Sequence, residues 1–260
     1  MLGYTSPSSR QRTATLCSTL SAKHSVQCIS VEADLSSPED AASAILSQAK
    51  EHFTDGQTGR FQIDILINNA GVSQDRLLND GEKGAIDAGY FQWHYTINVL
   101  APLLLTQAVQ AYLPTDRSGR IINISSVSSS LGFTGQSVYG GTKAALEAMT
   151  RTWARELSEH ATVNAVNPGP VVGDMYFNTG EDFWTQIQGH QNSTPLSQMR
   201  EVDEPILGQE QAALVREKMA GRRPAFTSEV AGVVGMLCTQ DGAWCTGSVV
   251  CANGGMRMGP

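Results

Sequence analysis

A chain of 260 residues, 41% of them hydrophobic, is long enough to fold as one large domain around a packed core. Its formal charge of -7, with no basic run longer than Arg222-Arg223, repels nucleic acid and anionic membrane surfaces and leaves a small molecule as the expected partner. The scattered Cys17, Cys28, Cys238, Cys245 and Cys251 form no C-x-x-C pair and argue against a disulfide framework or a zinc site; with no signal segment and no apolar run near the ~18 residues of a membrane span, the chain reads as soluble and cytoplasmic.

The opening MLGYTSPSS passes from a short apolar stretch into a turn of Pro and Ser. VQCISVEA (26–33) has the β-branched content of a strand, SPEDAASAILSQAKEHF (37–53) has a helical period with Ser37 and Pro38 in capping positions, and FQIDILINNA (61–70) reads as a buried strand. AGYFQWHYTINVLAPLLLTQAVQAYL (88–113) is helical but interrupted by Pro102. GRIINISS (119–126) is a strand, SVYGGTKAALEAMTRTWARELSEH (137–160) a helix and ATVNAVNPG (161–169) a strand. A long irregular insert (170–226), a helix near 228–239 and the strand GSVVCANGG (247–255) complete the series. The alternation predicts an α/β fold, with one doubly wound parallel sheet of about six strands and helices on both faces. A single domain spans 1–260, with the insert held within it.

In such a sheet, ligands gather outside the carboxyl ends of the strands. There the chain carries NNAG (68–71), the hydroxyl run SSVSSS (125–130) and, in the next helix, YGGTK (139–143). Tyr139 and Lys143 are four apart and share a helix face, where the ammonium would bring the phenol from about 10 toward neutrality. The pair suits proton exchange with an alcohol or carbonyl oxygen, with Ser126 placed to hydrogen-bond the same oxygen and Asn98 to hold a relaying water.

Together these pieces resemble the short-chain dehydrogenase/reductase family. Asp34-Leu35 after a strand, NNAG, Asn98 in NVLAP, NISS ending at Ser126, YGGTK, NPGPV (167–171) and the terminal VVCANGG occur in the family's order over nearly the whole chain. The resemblance implies a Rossmann-like fold in which Tyr139 is the general acid/base, Lys143 its pKa-lowering partner and a ribose ligand, Ser126 the binder of the substrate oxygen and Asn98 the water holder. It implies NADP(H) as cofactor and no metal. Asp34 and Leu35 would border adenine, and Asn69, Ala70 and Gly71 would line the adenosine and ribose. Pro168, Gly169 and Val171 would contact the cofactor, and Tyr4, Thr5 and Ser6 would face a 2′-phosphate. Gly173 stands where the family usually has a nicotinamide-binding Thr. The family's opening strand, T-G-x-x-x-G-x-G turn and helix have no counterpart among the 25 glycines. The chain reads as a member starting about one βα unit late, with unpaired backbone between the strand ending at Gly3 and strand 61–70, and with weakened dinucleotide binding.

Three functions remain open on this reading. The first is an NADP(H)-dependent reductase or alcohol dehydrogenase, the second a cofactor-independent enzyme using Tyr139, Lys143 and Ser126 for isomerisation, dehydration or cyclisation, and the third a non-catalytic scaffold. Met175, Tyr176, Phe177, Phe183 and Trp184, in the region the family uses as a substrate lid, favour an apolar or aromatic substrate. The apolar helices 88–113 and 137–160 favour a homodimer or homotetramer.

Overall fold

Two parallel sheets carry the main strands of the computed structural model, which describes residues 1–259. β1 (Leu2–Tyr4) pairs with β2 (Ser30–Glu32) through the intervening α1 (Arg10–His24), and α2 (Pro38–Phe53) follows. The expected strand 61–70 narrows to β3 (Ile65–Asn68), which starts a four-stranded sheet. After a small antiparallel hairpin, β4 (Asn79–Asp80) and β5 (Gly84–Ala85), come α3 (Ala88–Tyr95), a π turn at Thr96–Leu100 and α4 (Ala101–Val109). β6 (Gly119–Ile124), α5 (Ser128–Leu131), α6 (Ser137–Glu156) and β7 (Ala161–Pro168) build the centre. The chain then runs through α7 (Asp174–Phe177), α8 (Glu181–Ser193), α9 (Glu204–Leu207), α10 (Gln209–Lys218) and α11 (Thr227–Cys238) into β8 (Val249–Ala252). The larger sheet has the order β3-β6-β7-β8, all parallel.

The period of two in β6 and β7 divides the core between the two faces of this sheet. Ile121 and Val163 pack with Leu146 and Trp153 of α6 and with Leu157 just past its end, whereas Ile122 and Val166 pack with Leu237 of α11. These side chains are fully or almost fully buried, each contributing about 1.5–3 kcal/mol of transfer free energy. Among the described residues β1 pairs only with β2 and β3 only with β6, so each keeps one free edge, and Ile65 and Ile67 stay 46% and 45% exposed. The sheet is therefore in two pieces rather than one. The break falls where the sequence places unpaired backbone.

Two local expectations change. α1 has no counterpart in the sequence reading, because its face lacks an apolar stripe. Only Cys17 is buried, and the hydroxyls of Thr13, Thr15, Ser18 and Thr19 donate to carbonyls four residues back. The insert 170–226 is not irregular. It folds into α7 to α10 around its own apolar cluster, in which Tyr176, Trp184, Ile187, Val215, Met219 and Phe226 pack with Val127, Phe133 and Met256. Tyr176, Trp184 and Phe226 are thus core, Phe177 and Phe183 pack half-buried against them, and Met175 faces solvent at 56% exposure. Of the five cysteines, none is paired; Cys17 is buried, Cys28, Cys238 and Cys245 are half-buried and Cys251 is exposed.

Trp184→Ala should therefore cost about 3–5 kcal/mol of stability, read from urea unfolding. A change confined to substrate affinity, with the unfolding midpoint unmoved, would return Trp184 to a lid role.

Candidate active site

The site begins with a proline. Pro102 has no N–H to give the Asn98 carbonyl and its ring crowds that carbonyl, so the helix 88–113 opens into a π turn instead of breaking. The Ala101 N–H reaches back five residues to the Thr96 carbonyl. The wider turn points the Asn98 side chain across the molecule. Its Oδ1 accepts from the Val72 N–H at 2.8 Å, while its Nδ2 donates to the Val72 carbonyl at 2.8 Å and to Thr142 Oγ1 at 3.1 Å. Asn98 thereby clamps the segment after β3 onto α6, with its own backbone carbonyl left without an α-helical donor.

On α6, Tyr139 and Lys143 share one face, as their spacing predicts, and both are buried. Lys143 Nζ lies 5.8 Å from the Tyr139 ring centre and donates to the Ile124 carbonyl, at the end of β6, at 2.9 Å. Burial lowers the ammonium from 10.5 to about 8. Contrary to the fall toward neutrality expected from Lys143, burial pushes the Tyr139 phenol above its ordinary value; the Ser126 hydroxyl opposes that rise and the Asp75 charge adds to it. Ser126 Oγ accepts from the Ser128 N–H at 3.1 Å and donates to Ser128 Oγ at 3.1 Å. The loop approaches α6 closely because position 140 is glycine: a Cβ there would lie 2.5 Å from the Ser128 carbonyl oxygen. Ser126, Tyr139 and Lys143 thus converge at the carboxyl end of β6, with Asn98 behind them.

Around Lys143, the residues that the family resemblance assigns to a dinucleotide leave donors and space free. Lys143 Nζ has one protein acceptor for three protons, which leaves two for ribose hydroxyls. A Cβ on Gly71 would sit 3.2 Å from Lys143 Nζ and 3.3 Å from Asn98 Oδ1, so only glycine leaves that approach open. Asn69 and Ala70 are exposed beside it. Asp34 is exposed and Leu35 half-buried just past β2, and Pro168, Gly169 and Val171 lie at and beyond the end of β7, Gly169 against Asn253. Near β1 the arrangement differs from the expected one. Tyr4 gives its hydroxyl to Glu32 Oε2 at 3.3 Å, Ser6 Oγ is paired with Ser8 Oγ at 2.7 Å, and Thr5 is exposed. The sequence reading passes over Arg10, whose guanidinium bonds Glu32 at 2.7 Å and is 66% exposed. It also passes over Glu147, buried one turn beyond Lys143 on α6. Gly173 has φ 155° and starts α7 with its carbonyl accepting from Tyr176 and Phe177, so the backbone there favours glycine.

A profile of short chain dehydrogenases matches residues 5–183. The chain belongs to the short-chain dehydrogenase/reductase family. It is 70% identical over 263 residues to an L-xylulose reductase of Aspergillus niger and 54% identical over 268 residues to an L-xylo-3-hexulose reductase of Hypocrea jecorina, each alignment covering 99% of this chain and 88% of the relative. Among solved structures, a blue fluorescent protein from a metagenomic library in complex with NADPH matches with TM-score 0.75 at 29% identity, over 98% of this chain and 86% of the other. The angucycline C-6 ketoreductase LanV with bound NADP matches with TM-score 0.70 at 27% identity, over 99% and 85%. The expectation of weakened dinucleotide binding finds no support in these likenesses. The chain is thus an oxidoreductase of this family, and no helix among its described residues is long and apolar enough to cross a membrane.

Lys143 links the site to pH. Its folded value of about 8 lies below the unfolded 10.5, so the unfolded chain holds the proton more tightly and stability rises as pH climbs from 8 toward 10.5. Below pH 8 the buried ammonium costs about 3 kcal/mol. Lys143→Met should therefore stabilise the fold by about 2 kcal/mol at pH 7, after about 1 kcal/mol for the lost Ile124 hydrogen bond. The gain should vanish near pH 10 in denaturant titrations at the two pH values.

Proposed function

We propose that this chain is an NADP(H)-dependent reductase of an uncharged polyhydroxy ketone, of which L-xylulose is the first to test. The observation that carries the reading is the convergence of Ser126, Tyr139 and Lys143 at the end of β6, with the Lys143 ammonium held by one protein acceptor. The substrate class draws support from the 70% identical L-xylulose reductase and from the burial of Tyr176, Trp184 and Phe226 in the insert's core. The apolar substrate expected from those aromatics is replaced by a sugar-like one. Polar groups stand near Tyr139 instead: Ser126, Ser128 and Asp75, the last accepting from Gln136 Nε2 at 2.9 Å. A carboxylate near the phenol disfavours phosphorylated sugars and oxo acids.

When bound, the nicotinamide supplies the hydride to the carbonyl carbon. Ser126 Oγ donates to the carbonyl oxygen, and the Tyr139 hydroxyl gives it a proton as the alcohol forms. Lys143 favours the phenolate that remains and donates to ribose hydroxyls with its two free protons. Asn98 clamps Val72 to Thr142, and its carbonyl holds the water through which the proton is replaced. Gly71, Asn69 and Ala70 would line the ribose and adenosine, Asp34 and Leu35 would border adenine, and Pro168, Gly169 and Val171 would contact the cofactor at the end of β7. Thr5 and Ser6 would face a 2′-phosphate, Ser6 giving up its bond to Ser8, and Arg10, paired with Glu32, would bring positive charge there. The insert 170–226 closes the substrate side.

Tyr139→Phe should keep the fold and lower kcat for L-xylulose by about 10²- to 10⁴-fold, followed as NADPH consumption. Near-parental turnover would remove Tyr139 from the mechanism, and conversion of a ketose without NADPH would favour the proton-transfer enzyme. The stacked Phe91 and Tyr95, with Phe91 46% exposed on α3, suit a subunit contact. Light scattering should give twice or four times the 27.8 kDa chain mass.

A further inference from the structure

We propose that Glu147 is the positioning residue for Ser126, its carboxyl oxygen holding the segment that carries the Ser126 hydroxyl against the end of β7; the proposal rests on the reductase reading above. Glu147 follows Lys143 by one turn on α6 and is 8% exposed. One of its oxygens, Oε1, accepts from three donors: Ser125 Oγ at 2.6 Å, Ser129 Oγ at 2.8 Å and Asn167 Nδ2 at 2.9 Å. Three donors on one oxygen suit a carboxylate better than an amide. They come from the residue before Ser126, the third residue after it, and the neighbouring strand.

The second link runs through Asn167, which is fully buried and also donates from Nδ2 to the Ser126 carbonyl at 2.8 Å. Ser126 is therefore bracketed on both sides by groups that hang on Glu147, and its own carbonyl hangs on a residue that Glu147 orients. The backbone supplies the remaining anchors. The Ser125 N–H donates to Val166 O at 2.7 Å and the Val127 N–H to Pro168 O at 2.9 Å, which extends the β6–β7 ladder past Ile124. Those bonds set the height of the segment on the sheet, and within the turn the Ser129 N–H donates to the Ser126 carbonyl at 3.0 Å and the Ser128 N–H to Ser126 Oγ at 3.1 Å. Glu147 and Asn167 add the side-chain anchors that tie this turn to α6 and β7. Because Tyr139, Lys143 and Glu147 ride on the same helix, the Ser126 hydroxyl is indexed to the helix that carries the phenol.

A displacement of reacting groups by about 1 Å costs roughly 10²-fold in rate, which sets the scale of the test. L-xylulose reduction is measured for the full chain and for Glu147→Ala, Glu147→Gln, Ser126→Ala and the Glu147→Ala/Ser126→Ala pair. Glu147→Ala should lower kcat roughly 10- to 100-fold with KM for NADPH within about 2-fold, and Glu147→Gln should recover to within about 5-fold of the parent. In the Ser126→Ala background Glu147→Ala should cost less than about 3-fold, since the group it positions is gone. Effects that multiply in the double variant overturn the proposal. If Glu147→Ala does not fold, Ser129→Ala replaces it in the same cycle, with the same non-additivity expected. Amide hydrogen exchange of residues 125–131 decides the matter without turnover: exchange at least about 10-fold faster in Glu147→Ala than in Glu147→Gln is expected, and equal exchange refutes the positioning role. A parent chain that reduces no ketose while showing this exchange pattern would count against the reductase reading alone.

Discussion

An ammonium group buried at the end of a β-strand is the constraint around which the site is built. Lys143 is buried and keeps one protein acceptor, the Ile124 carbonyl. Leaving a cation so poorly compensated is costly, and proteins retain such groups where charge is used rather than where it stabilises. The surroundings are consistent with that: Gly71 gives up its side chain to leave room beside Nζ, and Asn98 spends its amide holding Val72 and Thr142 in place around it. The π turn at Thr96–Leu100 belongs to the same arrangement, because Pro102 creates it and it alone directs Asn98 inward.

Buried amides and hydroxyls hold the sheet in register beneath this site. Asn68 Nδ2 donates to Asn123 Oδ1 and Asn123 Nδ2 to Thr150 Oγ1, each at 2.8 Å, which ties β3, β6 and α6 together. Asn164 donates to the Cys245 carbonyl and accepts from the Ser248 N–H, tying β7 to the approach to β8. Paired groups of this kind add little net stability, yet each becomes expensive if a strand slips and leaves it unpaired. The apolar faces around Ile121 and Ile122 hold the layers together; the asparagines choose one alignment of their ends. Catalytic geometry needs the second property more than the first.

How much of this was legible depended on how local each signal was. Tyr139 and Lys143 lie within one helical turn, and Ser126 closes a strand of unmistakable period, so their shared position could be read directly. Pro102 announced an interruption but not its kind, since a π turn and a break look alike in sequence. Glu147 was hidden: its partners lie 18 to 22 residues before it and 20 after it, and a glutamate on an amphipathic helix ordinarily faces water. α1 escaped because its Ser and Thr hydroxyls are satisfied by the helix's own carbonyls, which no apolar period records. The insert was misread for the opposite reason. Its aromatics looked like a binding wall because sequence cannot say which side of a short helix is covered, and here Tyr176, Trp184 and Phe226 are covered by their neighbours in the insert.

That last difference changes what selects the substrate. A lid whose aromatic residues are consumed by their own core offers shape but little apolar contact to the reacting molecule. On the proposed reductase reading, recognition falls to the groups near Tyr139, where Ser126, Ser128 and the linked Asp75 and Gln136 stand. Such groups exchange hydrogen bonds with hydroxyls, and a site built to pair hydroxyls rejects molecules lacking them far more strongly than an apolar pocket rejects an added hydroxyl. The same physical argument explains why the loop itself must be rigid. Discrimination by unpaired polar groups works only if those groups cannot relax toward one another when the right partner is missing. The buried Glu147 and Asn167, anchoring the loop from below, deny it that freedom.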